Sequence, residues 1–161
     1  MSEKMLSSLD SNYEYQQPKS ADIKHVREGR TALRTVEVRT NQNVFRRMVL
    51  SSYDNRCGVT GLAEPALLIA SHIVPWAENK QSRLDPRNGI SLNALHDKAF
   101  DRGLISFQSD LRMLCSTKLS IPDGMKKYFN HDIVLRPNKF PPRASFLEYH
   151  RDVCFVADHG V

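Results

Sequence analysis

The chain reads as an α+β protein: a small β-hairpin followed by a helix, with flanking helices and a second short hairpin. Three observations predict this. The apolar run Ala66-Leu67-Leu68-Ile69-Ala70 extends to Val74 as a buried strand, behind the glycine-permitted turn Cys57-Gly58-Val59-Thr60-Gly61. Asn93 and Gly103 bracket a short helix as its cap and its stop. Leu104 to Phe107 and Leu111 to Cys115 have strand patterning, are separated by the turn-prone Gln108-Ser109-Asp110, and are expected to pair.

At 161 residues the chain has the length of one domain, enough to bury roughly two thirds of its unfolded surface. With 40% hydrophobic and 25% charged residues it has the balance of a soluble globular protein. No apolar stretch nears the roughly 20 residues needed to cross a bilayer, which excludes a membrane-spanning role. The opening Met1-Ser2-Glu3-Lys4-Met5-Leu6 lacks a secretory profile, so a cytoplasmic location is expected. Cys57, Cys115 and Cys154 are odd in number and far apart, which argues for reduced thiols and not a disulfide framework. The net charge of +5 favours a polyanionic partner, although acidic and basic residues are mixed along the chain.

Residues 1 to 40 are polar and aperiodic at first and read as a tail or linker, partly disordered, with Thr35 to Thr40 able to extend; residues 41 to 161 read as the folded domain. Asn41 or Asn43 is expected to cap a helix over about 43 to 53, with Val44, Phe45, Met48 and Val49 on one side and Arg46 and Arg47 on the other. Asp54-Asn55-Arg56 breaks it. The turn at 57 to 61 then enters a hairpin of which 66 to 74 is the second strand, stopped by Pro75 and covered by Trp76. A polar loop, 77 to 87, leads to a short extended piece at Ile90-Ser91-Leu92 and the helix from Asn93 to Arg102, whose apolar stripe is Leu92, Leu95 and Ala99. Pro122-Asp123-Gly124 opens a helical turn to Phe129, and Ala144 to Arg151 closes the domain as a helix.

The candidate chemistry lies between residues 72 and 101. His72 ends the buried run and has a side chain able to take a proton from water near neutral pH. A single histidine at a strand end is ordinarily a half-buried group bonded to a carbonyl. Asn88, in Pro86-Arg87-Asn88-Gly89, is able to brace a loop through its side chain, although Asn-Gly is ordinarily just a turn. In the helix, Asp97 and Asp101 fall one turn apart on the same face, where a divalent cation would relieve their repulsion; two solvated acids bridged by Lys98 or Arg102 is the plainer alternative. His96 lies to one side of them, placed to bind metal from the flank or to pack.

The order His72, Asn88, His96, within the phrases "CGVTG", "ASHIVPW", "RLDPRNGISLNALHDKAFDRGLISF" and "FLEYHR", resembles the HNH endonuclease family, and more closely its bacterial, restriction-endonuclease-like branch. The likeness runs from about Val44 to Phe155 and is densest over 57 to 107. It implies a ββα-metal core, a hairpin and helix around one divalent cation, Mg²⁺ first and Mn²⁺ next. It implies that His72 is the general base, that Asn88 positions the loop carrying it, and that the helix supplies metal ligands: Asp97 and Asp101, with His96 the alternative. DNA is the implied substrate, double-stranded first, in restriction or anti-phage defence. Arg46, Arg47, Lys80, Arg83, Arg87, Lys98 and Arg102 are the candidate phosphate contacts.

Two departures from the family pattern stand out. Many relatives have an acidic metal ligand just before the base, where this chain has Ser71. Many also carry paired Cys-x-x-Cys knuckles, whereas three scattered cysteines cannot build a four-thiolate site, so no structural zinc is expected. The missing acid keeps open a different class of function, an inactive DNA-binding or assembly module on the same scaffold. Base choice is not legible in phosphate-directed residues, so targeting falls to a homodimer, a separate targeting subunit or a further domain.

Overall fold

A computed structural model describes residues 40–156 apart from 76, 79 and 80. The expectations for residues 1–39, Trp76 and Lys80 fall outside the described residues. A helix, α1, spans 40–51, so it starts earlier than its candidate caps and holds Asn41 and Asn43 within its first turn. Its buried positions, Phe45, Val49 and Leu50, follow the helical period of an element packed on one side.

Strand β1, Leu68–His72, pairs antiparallel with β2, Gly89–Asn93, in the register Leu68↔Asn93 to His72↔Gly89. The run at 66 to 74 is therefore the first strand of the hairpin and not the second. The segment expected to precede it is a knuckle of turns: Gly61 sits at φ +73°, the Gly61 amide donates to the Cys57 carbonyl, and the Cys57 amide donates to Leu62. That internal pairing consumes the groups a strand would offer its neighbour. The true partner lies across the 73–88 loop.

The hairpin is covered on both faces, as the two-residue alternation of its side chains requires. Leu68 packs with Leu50 and Cys57 on one side, and the ideal Cβ at Gly89 would fall 2.4 Å from Val49 and 2.7 Å from Phe45. On the other side Ile73, Ile90 and Leu92 join the main core with Ala99, Phe100, Ile105, Phe107, Met113 and Leu147. Burial of such side chains contributes roughly 1.5–3 kcal/mol each.

Helix α2, Ala94–Asp101, follows β2 without a break. The Asn93 side-chain oxygen accepts from the Leu95 and His96 amides at 3.1 and 3.0 Å, which turns the strand into a helix within one residue. At the far end Gly103 adopts φ +66° and the Leu104 amide returns to the Ala99 carbonyl at 2.9 Å. The core side of α2 is His96, Ala99 and Phe100, whereas Leu95 is 51% exposed. The helix is thus rolled away from the predicted Leu92, Leu95 and Ala99 stripe, because the large Phe100 ring takes the central place.

Strands β3, Ile105–Phe107, and β4, Met113–Cys115, pair as a second antiparallel hairpin. A 3-10 segment, Asp123–Tyr128, precedes the last helix, α3, Ala144–Tyr149, which widens into a π-turn at His150–Cys154. Here an added Cβ on Gly103 would lie 1.9 Å from the Cys154 carbonyl oxygen. Among the described residues no helix is long and apolar enough to cross a membrane.

Candidate active site

His72 closes β1 and leaves the hairpin on the face turned to α1. Its ring stacks on Phe45, with centroids 3.7 Å apart and planes 10° from parallel. Its Nε2 lies 3.2 Å from the Arg83 carbonyl oxygen. A carbonyl only accepts, so the neutral ring carries its proton on Nε2 and its basic lone pair on Nδ1. Burial holds the imidazole below its ordinary pKa, opposed by the Arg83 carbonyl, which favours the protonated ring.

Asn88 is buried and braces the loop that follows β1. Its side-chain oxygen accepts from the Val74 amide at 2.8 Å, and its amide nitrogen donates to the Val74 and Ser82 carbonyls at 3.2 and 3.3 Å. The Ile73 amide also donates to the Asn88 main-chain oxygen at 3.0 Å. The two ends of the loop from 73 to 88 are thus tied to each other immediately after His72. Ser82, unremarkable in the sequence, is part of this tie.

Ser71 leaves the strand on the opposite face, where it is buried and its hydroxyl donates to the Asp97 carboxylate. A helix carboxylate therefore reaches the strand position that precedes His72. Asp101, one turn further along α2, is at the surface. Its carboxyl is raised above the usual range, first by partial loss of water and then by the charge of Asp97, against the pull of Lys98 and Arg102. The two acids thus feel one another.

His96 is on the core side of the same helix. It stacks on Phe129 with centroids 4.6 Å apart, and its two ring nitrogens face the Asn93 side-chain oxygen at 3.0 Å and the Tyr128 carbonyl at 2.9 Å. Burial lowers its pKa. Among the described residues no group of three or more His, Cys, Asp or Glu side chains stands ready to hold a metal, and the buried Cys57 receives the Asn93 amide on its sulfur at 3.2 Å.

The basic residues divide into two kinds. The Arg46 guanidinium is taken up by the protein, donating to the Leu68 and Pro65 carbonyls at 2.8 and 3.1 Å; it ties α1 to β1. Arg87 reaches Asp85 at 3.3 Å, and Arg143 reaches the same carboxylate at 3.2 Å. Arg47, Lys98 and Arg102 are exposed, and Arg83 is partly so. Phe45 is the residue that the sequence did not single out. Its helical spacing marked it as core, and only the close approach over Gly89 reveals what it touches.

The HNH endonuclease family model (HNH_2) matches residues 57–108, the segment that carries Ser71, His72, Asn88, Asp97 and Asp101. A solved structure described as a modification-dependent TagI restriction endonuclease aligns with a TM-score of 0.45 at 19% sequence identity, over 66% of this chain and 36% of that one. The chain thus corresponds to little more than a third of that protein's length. No curated protein matches it. Over the segment that runs from the knuckle turn to the end of β3, about a third of its length, the chain is similar to the HNH endonuclease family.

Proposed function

We propose that the chain is a metal-dependent endonuclease that hydrolyses phosphodiester bonds of double-stranded DNA, with His72 as general base and a single divalent cation, Mg²⁺ or Mn²⁺, at the acidic face of α2. One observation carries this reading. Adjacent residues at the end of β1 present an imidazole on one face and, through Ser71, a helix carboxylate on the other. In-line displacement wants proton abstraction on one side of phosphorus and charge stabilisation on the opposite side. Two neighbours leaving opposite faces of a strand end suit that demand.

His72 accepts the proton of the attacking water on Nδ1 while its Nε2–H goes on donating to the Arg83 carbonyl. Burial keeps the ring neutral and ready at pH 7. Asn88 holds the loop that carries the Arg83 carbonyl, so the tautomer of the base depends on it. The hard oxygen donors Asp97 and Asp101 suit Mg²⁺, which commonly takes one or two carboxylates and fills its remaining positions with water and phosphate. When bound there, the ion supplies positive charge to the phosphate and the departing 3′ oxygen. Ser71 fixes the direction of Asp97. His96, with both ring nitrogens engaged by oxygens, serves the packing of α2. Arg47, Arg83, Arg87, Lys98 and Arg102 are the phosphate contacts of this proposal, with Arg46 left out because its guanidinium ties down β1. A place in restriction or anti-phage defence follows the likeness of the motifs.

The test is nicking of supercoiled plasmid with Mg²⁺, with EDTA, and with a His72→Ala variant. Cleavage is expected only with metal, and to fall by about 10²- to 10⁴-fold in the variant. The serine in place of the family's common acid favours a second reading, an inactive DNA-binding or assembly module. Plasmid shifted on a gel but never cut would select it.

A further inference from the structure

We propose that Phe45 is a positioning residue for His72: its ring, presented by α1, holds the imidazole plane so that Nε2 meets the Arg83 carbonyl and the lone pair stays on Nδ1. The proposal rests on the reading of His72 as the base, and it draws on a helix that precedes the family-matched segment 57–108. The two rings lie face to face with centroids 3.7 Å apart and a 10° tilt. Phe45 is 2% exposed, so the contact is fixed by packing and not by chance of surface rotamers.

Two other features keep the ring there. His72 is paired with Gly89 across the hairpin, and the absence of a side chain at Gly89 makes room, since an added Cβ would lie 2.7 Å from the Phe45 Cζ atom. Behind it, the Arg46 guanidinium anchors α1 to the Leu68 carbonyl at 2.8 Å, so the helix cannot slide along the strand without losing that bond. The imidazole is thus held on one broad side by an aromatic plane and at one edge by a carbonyl. An imidazole free to turn about its χ2 angle would bring Cε1 to the Arg83 carbonyl in place of Nε2, and without that bond it would lose its tautomer preference.

The experiment uses the full chain, metal-free, at pH 8, where the imidazole is neutral, and compares wild type, Phe45→Leu and Leu50→Ala. Leu50 lies on the same helix, in the small cluster with Cys57 and Leu68, and its truncation controls for loss of packing. In wild type and Leu50→Ala the ring ¹⁵N shifts of His72 should report one tautomer, protonated on Nε2, and its carbon-bound protons should be displaced upfield by the Phe45 ring current. In Phe45→Leu the proton shifts should return downfield and the two nitrogen shifts should converge. Cleavage should show kcat reduced about tenfold with KM unchanged in Phe45→Leu and near wild type in Leu50→Ala. A single Nε2–H tautomer in Phe45→Leu, or equal effects in both variants, would overturn the proposal. A wild-type chain that fails to cut at all sinks the nuclease reading, while the nitrogen shifts still decide whether Phe45 orients His72.

Discussion

The Ser71 hydroxyl donates to the Asp97 carboxylate, joining the strand position before His72 to the first acid of α2. The chain thus couples strand and helix at the position where the resemblance leads to the expectation of an acid and Ser71 stands instead. A hydroxyl that orients a ligating carboxylate acts through that ligand, and loss of such partners commonly weakens metal binding by about 10- to 100-fold. Ser71→Ala is expected to weaken Mn²⁺ binding by about tenfold in calorimetry, and Ser71→Asp to strengthen it by adding a carboxylate beside Asp97. Isotherms that coincide for all three proteins would refute this.

Asn88 uses both ends of its amide, accepting from Val74 and donating to Val74 and Ser82. Aspartate keeps the shape and the acceptor but has no donor, and it brings a charge into a site that is 1% exposed. Asn88→Asp should therefore destabilise the fold by about 3 kcal/mol, through unpaired buried groups, and abolish most cleavage. Denaturant melts together with plasmid nicking check both; a stable and active variant would contradict the bracing role.

Gly103 combines a left-handed φ of +66° with a carbonyl oxygen that an added Cβ would approach to 1.9 Å. The close approach is to backbone, which cannot swing aside. Gly103→Ala should cost about 2 kcal/mol or more by forcing the π-turn away from α2. A midpoint in urea unchanged from wild type would show that the C-terminal turn yields freely.

His150 gives the fold a pH dependence of predictable sign. It is 2% exposed, stacks on Phe100 with centroids 3.7 Å apart, and bonds to Ser106 at 2.9 Å. Burial, with a smaller push from Arg151, lowers its pKa to about 4, against a partial rise from the Phe100 carbonyl. Above pH 6.5 the ring is neutral in folded and unfolded chains alike and its titration contributes no difference. As pH falls from about 6.5 to about 4 only the unfolded chain takes up the proton, so stability declines by on the order of 3 kcal/mol across that window. His150→Phe should flatten the decline without removing it, because His72 and His96 are shifted the same way. Chemical denaturation at pH 7.5, 6 and 5 measures the slope; identical slopes for both proteins would rule out His150 as its source.

Local signals explain what was legible in the sequence. Asn93 and Gly103 marked the limits of α2 because capping and left-handed turns depend on single residues. The short hairpin at β3 and β4 was legible from a turn flanked by apolar residues. The partner of β1 was not, since pairing across the 73–88 loop leaves no pattern in either strand, and the knuckle before it mimics a hairpin turn. At the site, Asp97 and Asp101 were placed on a common face by helical spacing alone. The inward rotation of His96 depends on the Tyr128 carbonyl, 32 residues away, and the capture of Arg46 by the Leu68 carbonyl is equally remote in sequence. No spacing rule reports such contacts.

Helix α1 ends before residue 57, where the match to the family model begins, yet it supplies the ring over His72 and the guanidinium on β1. The length that the family model matches and the length that packs around His72 are therefore different. A cassette cut at residue 57 and grafted into another protein would lose Leu50 from beside Leu68 and both side chains over Gly89, leaving only Cys57 and Val59 on that side of the hairpin. Transplants of this domain, and chimaeras with its relatives, have to carry the helix along as part of the same gear.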